Sequence, residues 1–339
     1  MNRTLQISLT LLLVSALNCY SQKKASNQFK VVFYNTENIF DTIDDPHKND
    51  NDFLPVSKVA WTSERYYHKI HNISKVLVAI DSNELPEVIG LAEIENINVL
   101  RDLIGQTRLR NGHYQPILEE GTDPRGIDVA LIYRDNVLKY AGHKAFPSAI
   151  KFKSRNILYV KLTDKKNNDY HFFVNHWKSR QGGADETADN RAENATLLRH
   201  LTDSIIKMNE KANIIVMGDL NDEPTDKSIA VSLGAREPSV KINPVSLYDL
   251  MYVPFIKGEG TLYYKDWDVF DQIIVSGNLL IEKRGKGPYI KAPYAYIFKQ
   301  EWMLYPNKKG DKIPNRTASG KEYFGGYSDH LPVYTLIRY

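Results

Sequence analysis

The run Asn213-Ile214-Ile215-Val216-Met217-Gly218-Asp219-Leu220-Asn221-Asp222 constrains the fold more than any other stretch. Its unbroken apolar residues, Ile214 to Met217, read as a strand covered on both faces. The run stops at a glycine and delivers Asp219 and Asn221 at alternate positions. Alternate side chains of an extended chain share a face, so a carboxylate and an amide point together into one cleft. Polar groups at the end of a buried strand are how an α/β protein builds a site. The plainer reading is a strand that ends in an ordinary Gly-Asp turn.

Other apolar runs end in the same way. Phe29 to Tyr34 reads as a strand that delivers Asn35 and Glu37. Val88 to Ala92 delivers Glu93 and Glu95. Two carboxylates so close to a strand end need something to neutralise them, and a metal ion would do so; of the two, Glu95 is expected to face solvent. Gly126 to Tyr133 is a further strand, with Arg125 at its head. Ile157 to Leu162 and His171 to Val174 pair across the polar turn Lys165 to Asp169, and the second delivers His176, Lys178 and Arg180. Trp267 to Val275 carries Asp271 near its entrance, and Ser328-Asp329-His330 precedes a last strand. A histidine followed by Lys and Arg suits the handling of an anion, although a lone strand-end histidine is commonly structural.

Two helices are legible. Tyr66, Ile70, Ile73, Leu77 and Ile80 recur at steps of four and three, with Thr62 or Ser63 as the cap. Ala195, Leu198, Leu201, Ile205 and Met208 form the buried stripe expected of a second helix from about Asn190 to Glu210. The loop Asp41–Asp52 lacks the glycine of an EF-hand and reads as a solvated rim.

Residues 1–21 read as a secretory signal peptide: Arg3, an apolar core from Leu5 to Leu17, and small residues at Cys19 and Ser21. A lipid anchor at Cys19 is the competing reading, and Asn18 fits it poorly. Residues 22–28 form a polar leader, and 29–339 read as one domain, because no Pro-, Gly- and Ser-rich stretch divides them. Cys19 is the only cysteine, so a processed chain has no disulfide, thiolate metal site or cysteine nucleophile. No stable membrane anchor and no protein partner is implied, and a monomer is expected.

The strand-end inventory is rich in carboxylates, has two histidines and lacks sulfur. Such hard oxygen donors select Mg²⁺ or Mn²⁺, with Ca²⁺ a further candidate, over zinc. No Gly-x-x-x-x-Gly-Lys loop points to nucleoside triphosphates, and no Gly-x-Ser-x-Gly elbow to an esterase. Water attack on a phosphodiester needs a cation, a base and an acid, and the inventory supplies them; a hydrogen bond to Asp271 would fix the tautomer of His330. The net charge of +3 does not announce a nucleic-acid binder. Its distribution is more telling. Residues 284–321 hold nine Lys or Arg against Glu301 and Asp311, interleaved with Tyr289, Tyr294, Tyr296, Trp302 and Tyr305. That mixture either grips a phosphate backbone and stacks on bases or is a solvated insertion with packed tyrosines.

Taken in order, Asn35-x-Glu37, Glu93, His176, Gly218-Asp219-x-Asn221, Asp271 and Ser328-Asp329-His330 resemble the endonuclease/exonuclease/phosphatase superfamily, the deoxyribonuclease-I-like fold, from about residue 29 to the C-terminus. The segment Asn175 to Arg180 is similar to one in secreted bacterial members that degrade DNA. The resemblance implies an α/β (α+β) protein, a four-layer α/β/β/α sandwich with two mixed sheets packed face to face. It implies that Glu93 holds the metal with help from Glu37, Asn35 and Asp329. Asp219 and Asn221 would position water and phosphate, and His176 and His330 would transfer protons, with Asp271 behind His330. Asn35, Lys178 and Arg180 are the expected phosphate contacts. Many relatives carry Gln where Ala92 precedes Glu93. The implied activity is a secreted, metal-dependent nuclease. The alternatives are a phosphatase or sphingomyelin phosphodiesterase of the same fold and, as a lesser one, a non-catalytic binding module.

Overall fold

A computed structural model of the chain describes residues 28–81, 84–151, 153–238, 241–283, 285 and 287–339. The expected signal peptide lies outside the described residues.

The first half alternates strands and helices: β1 (Gln28–Ile39), α1 (Ser63–Ala79), β2 (Val88–Ile94), α2 (Ile97–Gly105), β3 (Tyr114–Leu118) and β4 (Asp128–Arg134). Then come β5 (Leu138–Phe146), β6 (Ile157–Asp164), β7 (Asp169–His176), α3 (Ala184–Met208) and β8 (Asn213–Asp219). The remaining strands are shorter: β9 (Ala235–Arg236), β10 (Leu247–Asp249), β11 (Leu262–Tyr263), β12 (Trp267–Asp268), β13 (Asp271–Ser276), β14 (Tyr296–Ile297), β15 (Leu304–Pro306), β16 (Lys312–Pro314), β17 (Ala318–Ser319) and β18 (Glu322–Tyr323). β19 (Val333–Arg338) closes the chain.

They build two mixed sheets, a six-stranded one ordered β14-β19-β1-β2-β4-β3 and a seven-stranded one ordered β5-β6-β7-β8-β13-β10-β9. Alternation on the strands explains why both sheets need cover on both faces. In β1, Val31 and Phe33 pack into the core between the sheets, whereas Val32 and Tyr34 pack under α1 and α2. In β8, Ile215 and Met217 face the inter-sheet core, and Ile214 and Val216 face α3. Three hydrophobic layers therefore separate four structural layers, the α/β/β/α sandwich expected from the sequence.

α1 buries Tyr66, Ile70, Ile73 and Leu77 as its spacing predicts, and the Thr62 hydroxyl caps its start by accepting from Arg65 N. α3 differs at both ends. It begins at Ala184, where Asp185 and Glu186 in the first turn favour the positive end of the helix dipole. At its other end Met208 is 80% exposed, because the last turn runs past the sheet it covers.

The aromatics of residues 287–321 pack largely on the protein itself. Tyr296 stacks on Tyr334 with ring centroids 4.9 Å apart, and Trp302 meets Tyr327 edge-on at 5.0 Å. Lys75 lies over Trp302 and Lys299 over Trp267. Of the six aromatics in the stretch, Tyr305 is the exposed one; the others pack at least partly on the protein itself.

Candidate active site

Three strand ends of the seven-stranded sheet finish level. β7 and β8 run parallel and β13 runs antiparallel to β8, so His176, Asp219 and Asp271 stand side by side in register. Each lies two residues from a side chain of the inter-sheet core, Val174, Met217 and Ile273 respectively. Alternation therefore turns all three toward the facing sheet. There Asn35, two residues beyond Phe33, does the same from β1. Its amide links the sheets: Nδ2 donates to Asp219 Oδ2 at 3.0 Å and approaches Glu93 Oε1 at 3.4 Å.

Glu93 reaches the cleft against simple alternation. Ala92 faces the inter-sheet core, so the next side chain of a regular strand would turn away. Instead Glu93 adopts φ 64° and the β1–β2 register shifts after Asn35, a local irregularity that re-aims a side chain. Asn38 N then donates to Glu93 Oε2 at 2.9 Å. Glu37, Asn38 and Asn221 also have positive φ, so four of the seven such non-glycine residues among the described residues belong to this site. Backbone of that kind costs about 1–2 kcal/mol per residue and collects where function requires it.

His330 enters from the turn just before β19. Ser328 Oγ donates to Asn35 O at 2.8 Å and accepts from His330 N at 3.1 Å, which locks the Ser-Asp-His turn onto the end of β1. His330 Nδ1 lies 2.8 Å from Asp271 Oδ2, and Nε2 lies 3.8 Å from Asp219 Oδ2. His176 Nε2 lies 3.6 Å from Asp219 Oδ2 and 3.8 Å from Glu93 Oε1. Its Nδ1 is buried and has no partner among the described residues.

The two imidazoles differ in charge. Burial disfavours the cation at both. At His330 the carboxylates of Asp271, Asp219 and Asp329 outweigh burial and hold the ring protonated well above its usual range. At His176 burial is reinforced by the charges of Arg155, Arg125 and His330, so that ring is neutral. Burial also raises the Asp219 carboxyl to about 7, even though Asn35 and the Asn221 N–H stabilise its charge.

Not every residue picked from the sequence points into the cleft. Arg180 donates to Asn221 O at 2.9 Å, pairs with Asp222 and Asp226, and lies over the Phe270 ring. It braces the Asp219–Asn221 turn rather than facing a phosphate. Lys178 sits partly exposed just beyond the end of β7. Asn221 donates its side-chain amide to Trp177 O at 3.2 Å, and its N–H to Asp219 Oδ1 at 3.0 Å. Glu95 is not solvent-facing but 8% exposed, and its carboxylate accepts from Asp41 N at 2.6 Å.

Four cations around the site carried little or no signal in the sequence. Arg155 is buried, with Nη1 on Asp123 at 3.0 Å and Nη2 on Trp177 O. Arg125 is clamped by the same Asp123 through Nε and Nη2. Lys69 lies on the buried stripe of α1, an oddity for a lysine that was visible in the spacing. Arg316, from the basic stretch, donates from Nε to Glu37 Oε1 at 3.1 Å and from Nη2 to Asp329 Oδ2 at 2.8 Å.

These contacts decide how the expected metal ligands fare. Glu93 fits a divalent ion. It is a hard oxygen donor at the mouth of the cleft, and no Lys or Arg pairs with it among the described residues. Mg²⁺ commonly takes one or two carboxylates and completes its shell with water and substrate phosphate. Glu37 and Asp329 do not fit as they stand, because Arg316 occupies both. Among the described residues no three His, Cys, Asp or Glu close into a metal cage.

The endonuclease/exonuclease/phosphatase family model matches residues 30–339. No curated protein sequence matches. Among solved structures, zebrafish (D. rerio) TDP2 complexed with a single-strand DNA product is 16% identical, with a TM-score of 0.56 over 92% of this chain and 99% of that one. A Bacteroides thetaiotaomicron mannosyl-6-phosphatase is 15% identical, TM-score 0.56, over 92% and 100%. The catalytic domain of human Nocturnin with bound sulfate is 17% identical, TM-score 0.54, over 92% and 94%. At such identities the likeness shows the fold, whereas the family match covers the strand ends described above. This chain belongs to the endonuclease/exonuclease/phosphatase family.

Proposed function

We propose that this phosphoester hydrolase is an exported nuclease that cleaves DNA phosphodiesters, with Mg²⁺ or Mn²⁺ held at Glu93. The observation that carries hydrolysis is the inter-sheet contact of Asn35, Asp219 and Glu93, with a neutral His176 and a charged His330 on either side. A bound divalent ion supplies neutralisation of the phosphate and acidification of water. Asp219, fixed by Asn35 and by Asn221 N–H, orients the attacking water and takes its proton as the new P–O bond forms. His330, fixed by Asp271, gives its Nε2 proton to the leaving oxygen as the old P–O bond breaks. His176 offers Nε2 to a non-bridging phosphate oxygen.

Nucleic acid is supported by the exposed Lys308, Lys309 and Lys321, on the same insertion that carries Arg316 into the site, and by a zebrafish structural neighbour that holds a single-strand DNA product. Export rests on residues 1–21. A second reading, a phosphomonoester phosphatase, is supported by the Bacteroides structural neighbour described as a mannosyl-6-phosphatase.

The test is purified protein with Mg²⁺ or Mn²⁺ offered plasmid DNA, RNA, a sugar phosphate and sphingomyelin. DNA loss that disappears with EDTA and in Asp219→Ala supports the nuclease. Phosphate release with intact DNA selects the phosphatase, and phosphocholine release selects the lipid enzyme. Binding without turnover of any substrate defeats catalysis altogether.

A further inference from the structure

Trp177 follows His176 out of β7, and its peptide group joins two of the strand ends that build the cleft. Its N–H donates to Asp219 O at 3.0 Å, and its carbonyl accepts from Asn221 Nδ2 at 3.2 Å. A carbonyl has two lone pairs, and Arg155 Nη2 donates to the same oxygen. The Asp219–Asn221 turn is therefore tied to β7 through one peptide, and Arg155 holds that peptide from the other side.

Arg155 is anchored in turn. Its Nη1 donates to Asp123 Oδ2 at 3.0 Å, and both side chains are 5% exposed. The loops that carry the pair are tied together: Thr122 N donates to Ser154 O at 3.0 Å, and Ser154 N to Thr122 Oγ1 at 3.1 Å. Gly121 permits the approach, since a Cβ there would lie 3.0 Å from Ser154 O. Arg125 donates to the same carboxylate from Nε at 3.2 Å and from Nη2 at 3.0 Å.

Such a pair is a poor stabiliser of a fold. Apolar side chains of similar volume often do as well as a buried ion pair or better. Arg155 Nε is buried with no partner among the described residues, and a donor left in that state is destabilising. What the guanidinium does reach is the one carbonyl that holds the Asn221 amide.

We propose that Arg155, anchored by Asp123, is a positioning residue for hydrolysis. Acting through Trp177 O, it fixes Asn221 and keeps the end of β7, with His176, aligned on Asp219. The inference rests on the proposed function only in taking the strand-end cleft as the place of hydrolysis.

The experiment compares full-length wild type, Arg155→Met and Arg155→Ala by steady-state kinetics on the preferred phosphoester, thermal unfolding and amide exchange read by NMR. Arg155→Met fills the space, and Asp123 keeps Arg125 as a partner, so this variant is expected to fold with a midpoint close to that of wild type. Its kcat should fall about 10²-fold, the scale of a small misplacement at a reacting centre, with KM little changed. The Trp177 and Asn221 amides should exchange faster, while those of Ile215 and Val216 stay as slow as in wild type. Guanidinium ion added to Arg155→Ala should restore kcat saturably, and methylammonium should not. Unchanged kcat, a loss carried by KM, or unchanged exchange at Trp177 and Asn221 overturns the proposal. So does an Arg155→Met that fails to fold, exchange that quickens equally along β8, or rescue by neither cation or by both alike. If wild type cleaves no phosphoester, the hydrolase reading fails, and amide exchange still decides whether Arg155 holds the turn.

Discussion

His330 Nδ1 lies 2.8 Å from Asp271 Oδ2 in a pair shielded from solvent. The contact fixes the ring orientation, directs Nε2 into the cleft and supplies the largest opposition to the burial that would otherwise discharge the ring. Asp271→Asn keeps the shape and removes the charge. The expected result is a fall in kcat of about 10²–10⁴-fold, the range of one general acid or base, with a smaller change in KM. Steady-state kinetics on the preferred substrate check it. A kcat within twofold of wild type would make the pair structural.

Glu93 is predicted to set metal affinity. EDTA should abolish turnover and added Mn²⁺ restore it. Glu93→Gln should weaken Mn²⁺ binding by more than about tenfold, since even outer-shell partners are worth 10–100-fold. Calorimetry with Mn²⁺ reads this directly, and equal affinity in the variant would remove Glu93 from the coordination shell.

Asp249 provides a pH signature away from the site. It is 1% exposed, Oδ1 accepts from Met251 N at 2.9 Å, and Oδ2 has no partner among the described residues. Burial raises its carboxyl to about 7, against about 3.9 when unfolded. Between those values the folded state holds a proton that the unfolded chain has released. The contribution to stability is therefore full below about pH 4, falls as pH rises and is flat above about pH 7. Relative to Asp249→Asn, wild type should lose up to about 4 kcal/mol across that window, at about 1.36 kcal/mol per unit. Urea unfolding of both proteins across the window is the check, and parallel stability curves would refute it.

Gly218 is predicted to resist substitution. A Cβ there would lie 2.3 Å from Asn175 O, a backbone atom that cannot move aside cheaply. Gly218→Ala should cost about 1–3 kcal/mol, as overpacking does, and should disturb the β7–β8 register that aligns His176 with Asp219. Thermal unfolding measures the cost, and an unchanged midpoint would show that the strands can separate freely.

The catalytic candidates were legible because each ends a buried apolar run, and burial imposes a pattern that chemistry then interrupts. The edge strands β3 and β5 were not. β5 is mostly exposed and β3 carries Pro116, so neither shows the apolar alternation of a half-buried strand. Arg155 and Arg316 left no pattern either, since a long side chain reaches its partner from a loop whose local sequence says nothing of where the tip will rest. Glu93 stood out as a candidate at the end of its apolar run, yet its left-handed backbone is a tertiary consequence, set by the register shift against β1.

Asn35, Glu93 and His330 ride on one sheet, and His176, Asp219 and Asp271 on the other. The halves mesh closely enough that a Cβ on Gly90 would lie 2.7 Å from Met217 Sδ. A sideways slip of one layer over the other would leave each hydrogen-bonded ladder whole, yet part the 3.0 Å link between Asn35 and Asp219. Turnover in this architecture is therefore a gauge of interlayer alignment, and gentle heating should silence the protein while its circular dichroism still reads as native.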